Sequence, residues 1–166
     1  MKTVFFYPEE LSSHFLIKDL SEINSDFIEE NCKRIFKNRL LCLKRQVFAV
    51  LTIKHKDGFL CFFGTNYRRY DVGTGECPRI RHQYHVKDYK TCYTECISIC
   101  KQEFHAETCA LALCKRNDFS GKSGHIYITG HEKCCPNCEQ SAKETGIIYA
   151  KSFKPDKDGS LYEKLF

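Results

Sequence analysis

Between residues 104 and 153 the chain alternates helix-like and strand-like segments in an order that leaves few ways to fold. "FHAETCALALC" is rich in small helix formers, and "NDFSGKSG" is a turn. "HIYIT" is a short β-branched and aromatic run. "PNCEQSAKET" has Pro136 at its first helical position and Gly146 just past its end, and "IIYAKSF", 147–153, is strand-like again. Proline at the start and glycine beyond the end is the asymmetry of a helix. A strand–helix–strand passage is the connection that parallel neighbours need, whereas antiparallel neighbours need only a tight turn. Upstream, "QVFAVLTIKHKDGFLCFFGTNY" reads as two antiparallel strands, 46–54 and 59–64, joined at Lys56-Asp57-Gly58; Asp-Gly is a strong hairpin signal. Hairpin plus crossover predicts an α/β fold with a mixed central sheet of about five strands covered on both faces, a three-layer α/β/α sandwich.

The rest is less regular. Residues 8–42 read as helical, with apolar residues spaced at three and four and helix starts at Pro8 and at Ser25-Asp26. Residues 71–91, "DVGTGECPRIRHQYHVKDYKT", read as a long loop, followed by a short helix over 91–101. The tail "KPDKDGSLYEKLF" is expected to add a last short strand or helix. A length of 166 residues fits one domain. The expectation is a single domain over 1–166, with 1–42 a helical N-terminal segment and 71–103 a cysteine-containing insertion.

Charge and cysteine content narrow the chemistry. The formal charge of +5 suits an anionic small molecule such as a nucleotide but is too small to argue for nucleic-acid binding by itself. Twelve cysteines would be a disulfide scaffold in a secreted chain. The opening "MKTVFFYPEELSS" has an apolar run of only Val4-Phe5-Phe6 before Glu9 and Glu10, far short of a signal-peptide core. "VFAVLTI" is too short to span a bilayer. The expectation is a cytoplasmic chain with reduced thiols, a setting in which paired cysteines bind metal or do chemistry.

Cys135-Pro136-Asn137-Cys138 is a CxxC opening a helix, where both sulfurs can reach one ion and the helix N-terminus favours thiolate. Zinc takes cysteine sulfur and neutral histidine nitrogen, and His105, heading another helix, supplies a third ligand. Glu107, two residues on, can approach a metal-bound water without being a ligand. Cys134 or His131 could supply a fourth ligand, which would make a closed structural site. A redox CxxC fits less well, because a thioredoxin-like motif follows the first strand of its fold and this one comes late.

His105-Ala106-Glu107 followed by Cys135-Pro136-Asn137-Cys138 is the H-x-E…C-x-x-C signature of zinc nucleobase deaminases. Over roughly 40–153 the chain resembles the cytidine and deoxycytidylate deaminase superfamily. Leu41–Val50 is similar to the segment entering the first strand of the deoxycytidylate enzymes, Gly64-Thr65-Asn66 to their Gly-x-Asn, and Ile126–Thr129 to the strand delivering the CxxC loop. The resemblance implies a cytidine deaminase-like fold, a Zn2+ cofactor held by His105, Cys135 and Cys138, and Glu107 as the proton-transferring group. It implies hydrolytic deamination of a pyrimidine nucleotide, dCMP to dUMP first, by a homo-oligomer. It also implies that Asn66 meets the sugar or base and that backbone around Ala106 and Cys134-Cys135 meets the base edge. The chain departs from the family pattern in carrying Cys134 where proline is usual, Phe48 where glycine is common, and a longer path from Tyr127 to Cys135.

Arg68 and Arg69 suit a 5′-phosphate, since guanidinium matches phosphate geometry. The Tyr67-Arg68-Arg69-Tyr70 cluster keeps a base in RNA or DNA open as substrate, beside cytidine, a modified pyrimidine or a purine. A non-catalytic zinc-stabilised module binding nucleotide or nucleic acid is the other class. Cys92, Cys96 and Cys100 are four apart and, with Cys77 or His82, could form a second metal site; small buried cysteines are the alternative. Cys109 and Cys114 are expected in the core.

Overall fold

The computed structural model describes residues 14–42, 45–68, 96, 102 and 104–166. Six strands form one mixed, open sheet: β1 (His14–Ile17), β2 (Phe48–His55), β3 (Gly58–Thr65), β4 (His125–Thr129), β5 (Tyr149–Ser152) and β6 (Glu163–Leu165). Three helices accompany them among the described residues: α1 (Ser25–Ile35), α2 (Ala106–Arg116) and α3 (Pro136–Thr145). Spatial order is β1-β3-β2-β4-β5-β6. β4 and β5 are parallel, and the other neighbours are antiparallel.

The hairpin forms where Asp57-Gly58 placed it, with His55 opposite Gly58 and Phe48 opposite Thr65. β2 is the central strand, and Ala49, Val50 and Leu51 are fully buried. The parallel pair arises as expected, through α3. Pro136 starts that helix, and Gly146 ends it in the left-handed conformation, φ +86°, which costs glycine little. The core runs the width of the sheet through Phe62, Phe63, Leu51, Ile126 and Ile128, with Ile28 of α1 and Leu113 of α2 packed into it. Among the described residues no helix is long and apolar enough to cross a membrane.

The helical reading of 8–42 holds over Ser25–Ile35, with the helix start expected at Ser25-Asp26, and is corrected on either side of it from residue 14 to residue 42; residues 8–13 lie outside the described residues. His14–Ile17 is an edge strand, registered on Phe62–Phe59 of β3. Leu20–Glu22 is a single 3-10 turn held at its N-terminal end by a capping box, in which the Asp19 carboxylate accepts from the Ser21 amide and the Glu22 carboxylate from the Asp19 amide. The helix proper starts after Asn24, whose side chain accepts from the Phe27 amide at 2.8 Å, and buries the stripe Ile28, Cys32 and Ile35. The cause is tertiary: β3 has an outer edge of unpaired amides and carbonyls, and "HFLI" satisfies them better as a strand than as a helix turn. Leu40 is extended as well, bridged to Arg68. The tail adds β6, the last short strand allowed for in the sequence, and β1 brings the sheet to six strands rather than about five. The expected loop over 71–91 and, Cys96 apart, the helix expected over 91–101 lie outside the described residues.

Candidate metal centre

His105 is the N-cap of α2 and Cys135 the N-cap of α3. Both have extended backbone, and the His105 side chain makes no capping hydrogen bond, which leaves its ring to face elsewhere. It faces the sulfurs. His105 Nδ1 lies 3.4 Å from Cys135 Sγ and 3.3 Å from Cys138 Sγ. The Cys138 amide donates to Cys135 Sγ at 3.3 Å, so the helix N-terminus points at that sulfur. His105, Cys135 and Cys138 form a group whose ligand atoms all lie within 4.8 Å of one another.

These spacings fit a metal. Zinc bonds of about 2.0–2.1 Å to nitrogen and 2.3 Å to sulfur make the N···S edge of a tetrahedron about 3.5 Å. Both observed N···S distances come within about 0.2 Å of that edge. One nitrogen and two thiols are also donors that soft or borderline divalent ions prefer.

The protonation pattern has the same origin. Cys135 is lowered to about 4, chiefly by the hydrogen bond from the Cys138 thiol, then by His105 and the Cys138 amide. Cys138 is raised, because its proton is shared with Cys135 and because it is buried. His105 is raised by its hydrogen bond to Cys135, against the effect of burial. A cation taking the place of these protons would meet donors already turned inward.

Glu107 sits in the first turn of α2, 4% exposed. Burial raises its carboxyl above the ordinary carboxylate range, and His105 and hydrogen bonds from its own amide and from Cys134 act in the opposite sense. Among the described residues Glu107 does not join the ligand group, and neither does Cys134 or His131. Cys134 is buried against the Glu107 carboxyl, and burial and that carboxyl raise its thiol. His131 Nδ1 lies 2.7 Å from the Lys133 carbonyl. The arrangement is three donors with a buried carboxyl beside them.

Other sequence-selected residues are tied to backbone or packed in the core. Asn66 is buried, accepts from the Val47 amide at 2.8 Å and donates to the Arg45 carbonyl at 2.8 Å. That pins the entry of β2 to the exit of β3 and leaves one amide hydrogen and one lone pair of its side chain for other partners. Arg68 is buried, with its Nε on the Leu41 carbonyl at 2.9 Å and its amide on the Leu40 carbonyl at 2.7 Å. Ala106 is fully buried at the start of α2, and Cys109 and Cys114 are core residues as expected. Arg69, Cys77, Cys92 and Cys100 lie outside the described residues; Cys96 is half-buried, its carbonyl accepting from the Gln102 amide at 2.9 Å.

Sequence reasoning passed over Glu139, Tyr162 and Lys164. The Glu139 carboxylate, one residue past Cys138, accepts from Tyr162 Oη and from Lys164 Nζ, each at 2.6 Å. The alternation Tyr162-Glu163-Lys164 was the available signal, because residues two apart on a strand share a face.

No family model matches the chain, and no curated protein matches it.

Proposed function

We propose that the chain is a zinc-dependent hydrolytic deaminase of a pyrimidine nucleotide, dCMP to dUMP with release of ammonia being the first candidate reaction. One observation carries the reading: a His–Cys–Cys donor set is assembled from two helix heads, and an acid with a raised pKa is buried beside it without joining it. A structural site would use four ligands, and a catalytic one keeps three. The resemblance through His105-Ala106-Glu107 and Cys135-Pro136-Asn137-Cys138 points the same way. The architecture supports it as well. α1 packs Phe27 against Phe63, while α2 lies on the neighbouring residue Gly64, whose side-chain direction is opposite. That placement is what a three-layer, cytidine deaminase-like sandwich requires.

His105, Cys135 and Cys138 would hold the metal, which supplies Lewis acidity that makes a water nucleophilic near neutral pH. Glu107 does the proton work. Its raised pKa brings it closer to the operating range of a group that must both accept and donate. It takes a proton from the water attacking C4 of the cytosine ring and returns that proton to ring N3. It then carries the second water proton to the departing amine, so the ring gains a carbonyl and ammonia leaves. Burial of Glu107 shields the carboxyl from bulk water and keeps the proton on the reacting atoms. Cys134 backs the carboxyl and limits its rotation.

The test is to incubate zinc-loaded protein with dCMP, cytidine, deoxycytidine and a single-stranded oligonucleotide, following ammonia and ultraviolet absorbance. Turnover of a monomeric pyrimidine is expected. Glu107→Ala should abolish it while zinc stays bound. Loss of zinc in that variant would make Glu107 a ligand and overturn its role. Failure of all four substrates would favour a non-catalytic binding module.

A further inference from the structure

Tyr162 and Lys164 are two apart at the last strand, so both side chains leave the same face of the sheet. The register identifies that face. Lys164 is opposite Ala150, and the Tyr162 carbonyl accepts from the Ser152 amide at 2.9 Å. Ala150 and Ser152 alternate with Tyr149 and Lys151, which look the other way. Both side chains converge on Glu139, one residue past Cys138 in the first turn of α3. Tyr162 Oη donates to Oε1 and Lys164 Nζ to Oε2, so each carboxylate oxygen has its own donor. Tyr162 also touches Cys134, on the other side of the Cys135 N-cap. The metal-bearing turn is therefore gripped from both flanks by an element 24 residues or more downstream of Cys138, the separation of Cys138 and Tyr162.

We infer that Tyr162 and Lys164 are positioning residues for the metal centre, holding the Cys135–Cys138 turn through Glu139 so that both sulfurs stay aimed at His105. This rests on the metal-centre part of the proposed function and not on the identity of the substrate. Groups that orient ligands from behind commonly change metal affinity 10- to 100-fold when removed. Tyr162 acts through a neighbour of the ligands, so the lower end of that range applies.

The sheet supplies its own control. Tyr149 donates to Glu163 in a short hydrogen bond on the opposite face, between the same two strands. Tyr149→Phe deletes a tyrosine–glutamate bond from the same sheet edge without touching α3. The experiment measures zinc affinity by chelator competition and the visible spectrum of the cobalt(II)-substituted protein, for the unaltered chain, Tyr162→Phe, Lys164→Met and Tyr149→Phe. Thermal melts of the metal-free proteins check folding. Tyr162→Phe is expected to weaken zinc binding roughly ten-fold and to alter the cobalt spectrum, with Lys164→Met in the same direction and Tyr149→Phe unchanged. Equal affinity in all four proteins overturns the inference, and so does equal weakening by Tyr162→Phe and Tyr149→Phe. An unaltered chain that binds no zinc overturns the metal centre with it. A protein that binds zinc, shows the expected difference and turns over no pyrimidine leaves the positioning role standing and removes the deaminase reading.

Discussion

Gly64 of β3 lies directly against Ala106, the first residue of α2. A Cβ at Gly64 would sit 2.1 Å from the Ala106 carbonyl oxygen and 2.5 Å from the Ala110 amide nitrogen. Both neighbours are backbone atoms of a helix, so neither can swing aside. Gly64→Ala should therefore lift the head of α2 off the sheet and carry His105 away from the sulfurs. Overpacking of this kind costs about 1–3 kcal/mol. Urea unfolding and zinc competition on the same variant should both show a loss. A variant as stable and as metal-avid as the parent would mean that the helix does not rest where it is described.

Metal affinity should fall with acid in two stages. Zinc must displace the Cys138 proton at any pH below that thiol's raised pKa. Below the pKa of His105, which lies above its ordinary 6.5, it must displace an imidazolium proton as well. Cys135, lowered to about 4, is already thiolate through the neutral range and adds no proton there. The slope of log Kd against pH should therefore steepen from about one proton per zinc to about two as pH falls through the His105 value. Competition titrations across about pH 5 to 8 bracket the range in which imidazole titrates. A pH-independent affinity would contradict this protonation pattern.

Thiol labelling should be selective. In metal-free protein at neutral pH, Cys135 is half-buried and ionised and should be alkylated well before Cys109, which burial raises to about 11, and before Cys32, which burial raises further. Zinc should slow the Cys135 reaction. Peptide mass mapping of a time course reads both effects, and equal rates at Cys135 and Cys109 would refute them.

Asn66→Ala should destabilise the fold by about 1–3 kcal/mol, because it strips partners from the Val47 amide and the Arg45 carbonyl. Asn66→Asp keeps an acceptor for Val47 but sets a buried carboxylate oxygen against the Arg45 carbonyl, so it should destabilise as well. Denaturant midpoints order the three proteins, and no loss in Asn66→Ala would show that this tie is not needed.

The elements readable in advance were those whose cause is local. Asp57-Gly58 specifies its hairpin by turn chemistry, and Pro136 with Gly146 specifies the ends of α3. His105, Cys135 and Cys138 were identifiable because metal chemistry demands those residue types, and two helix starts could be located independently. β1 was not legible. "HFLI" has no alternation, and its strand state depends on an edge of β3 more than forty residues away. The capture of the Arg68 guanidinium by the Leu41 carbonyl was equally hidden, because a guanidinium that suits phosphate suits backbone oxygens too. Glu139 looked like an ordinary helix carboxylate until Tyr162 and Lys164 arrived from the end of the chain.

Burial is graded across the three donors: His105 is exposed, Cys135 half-buried and Cys138 1% exposed. A scavenger arriving from solvent would reach the imidazole first and the deep sulfur last. Removal of an ion would then begin by peeling off the ring while the two sulfurs of one helix turn keep their hold, and re-attachment of the ring would compete with escape at every attempt.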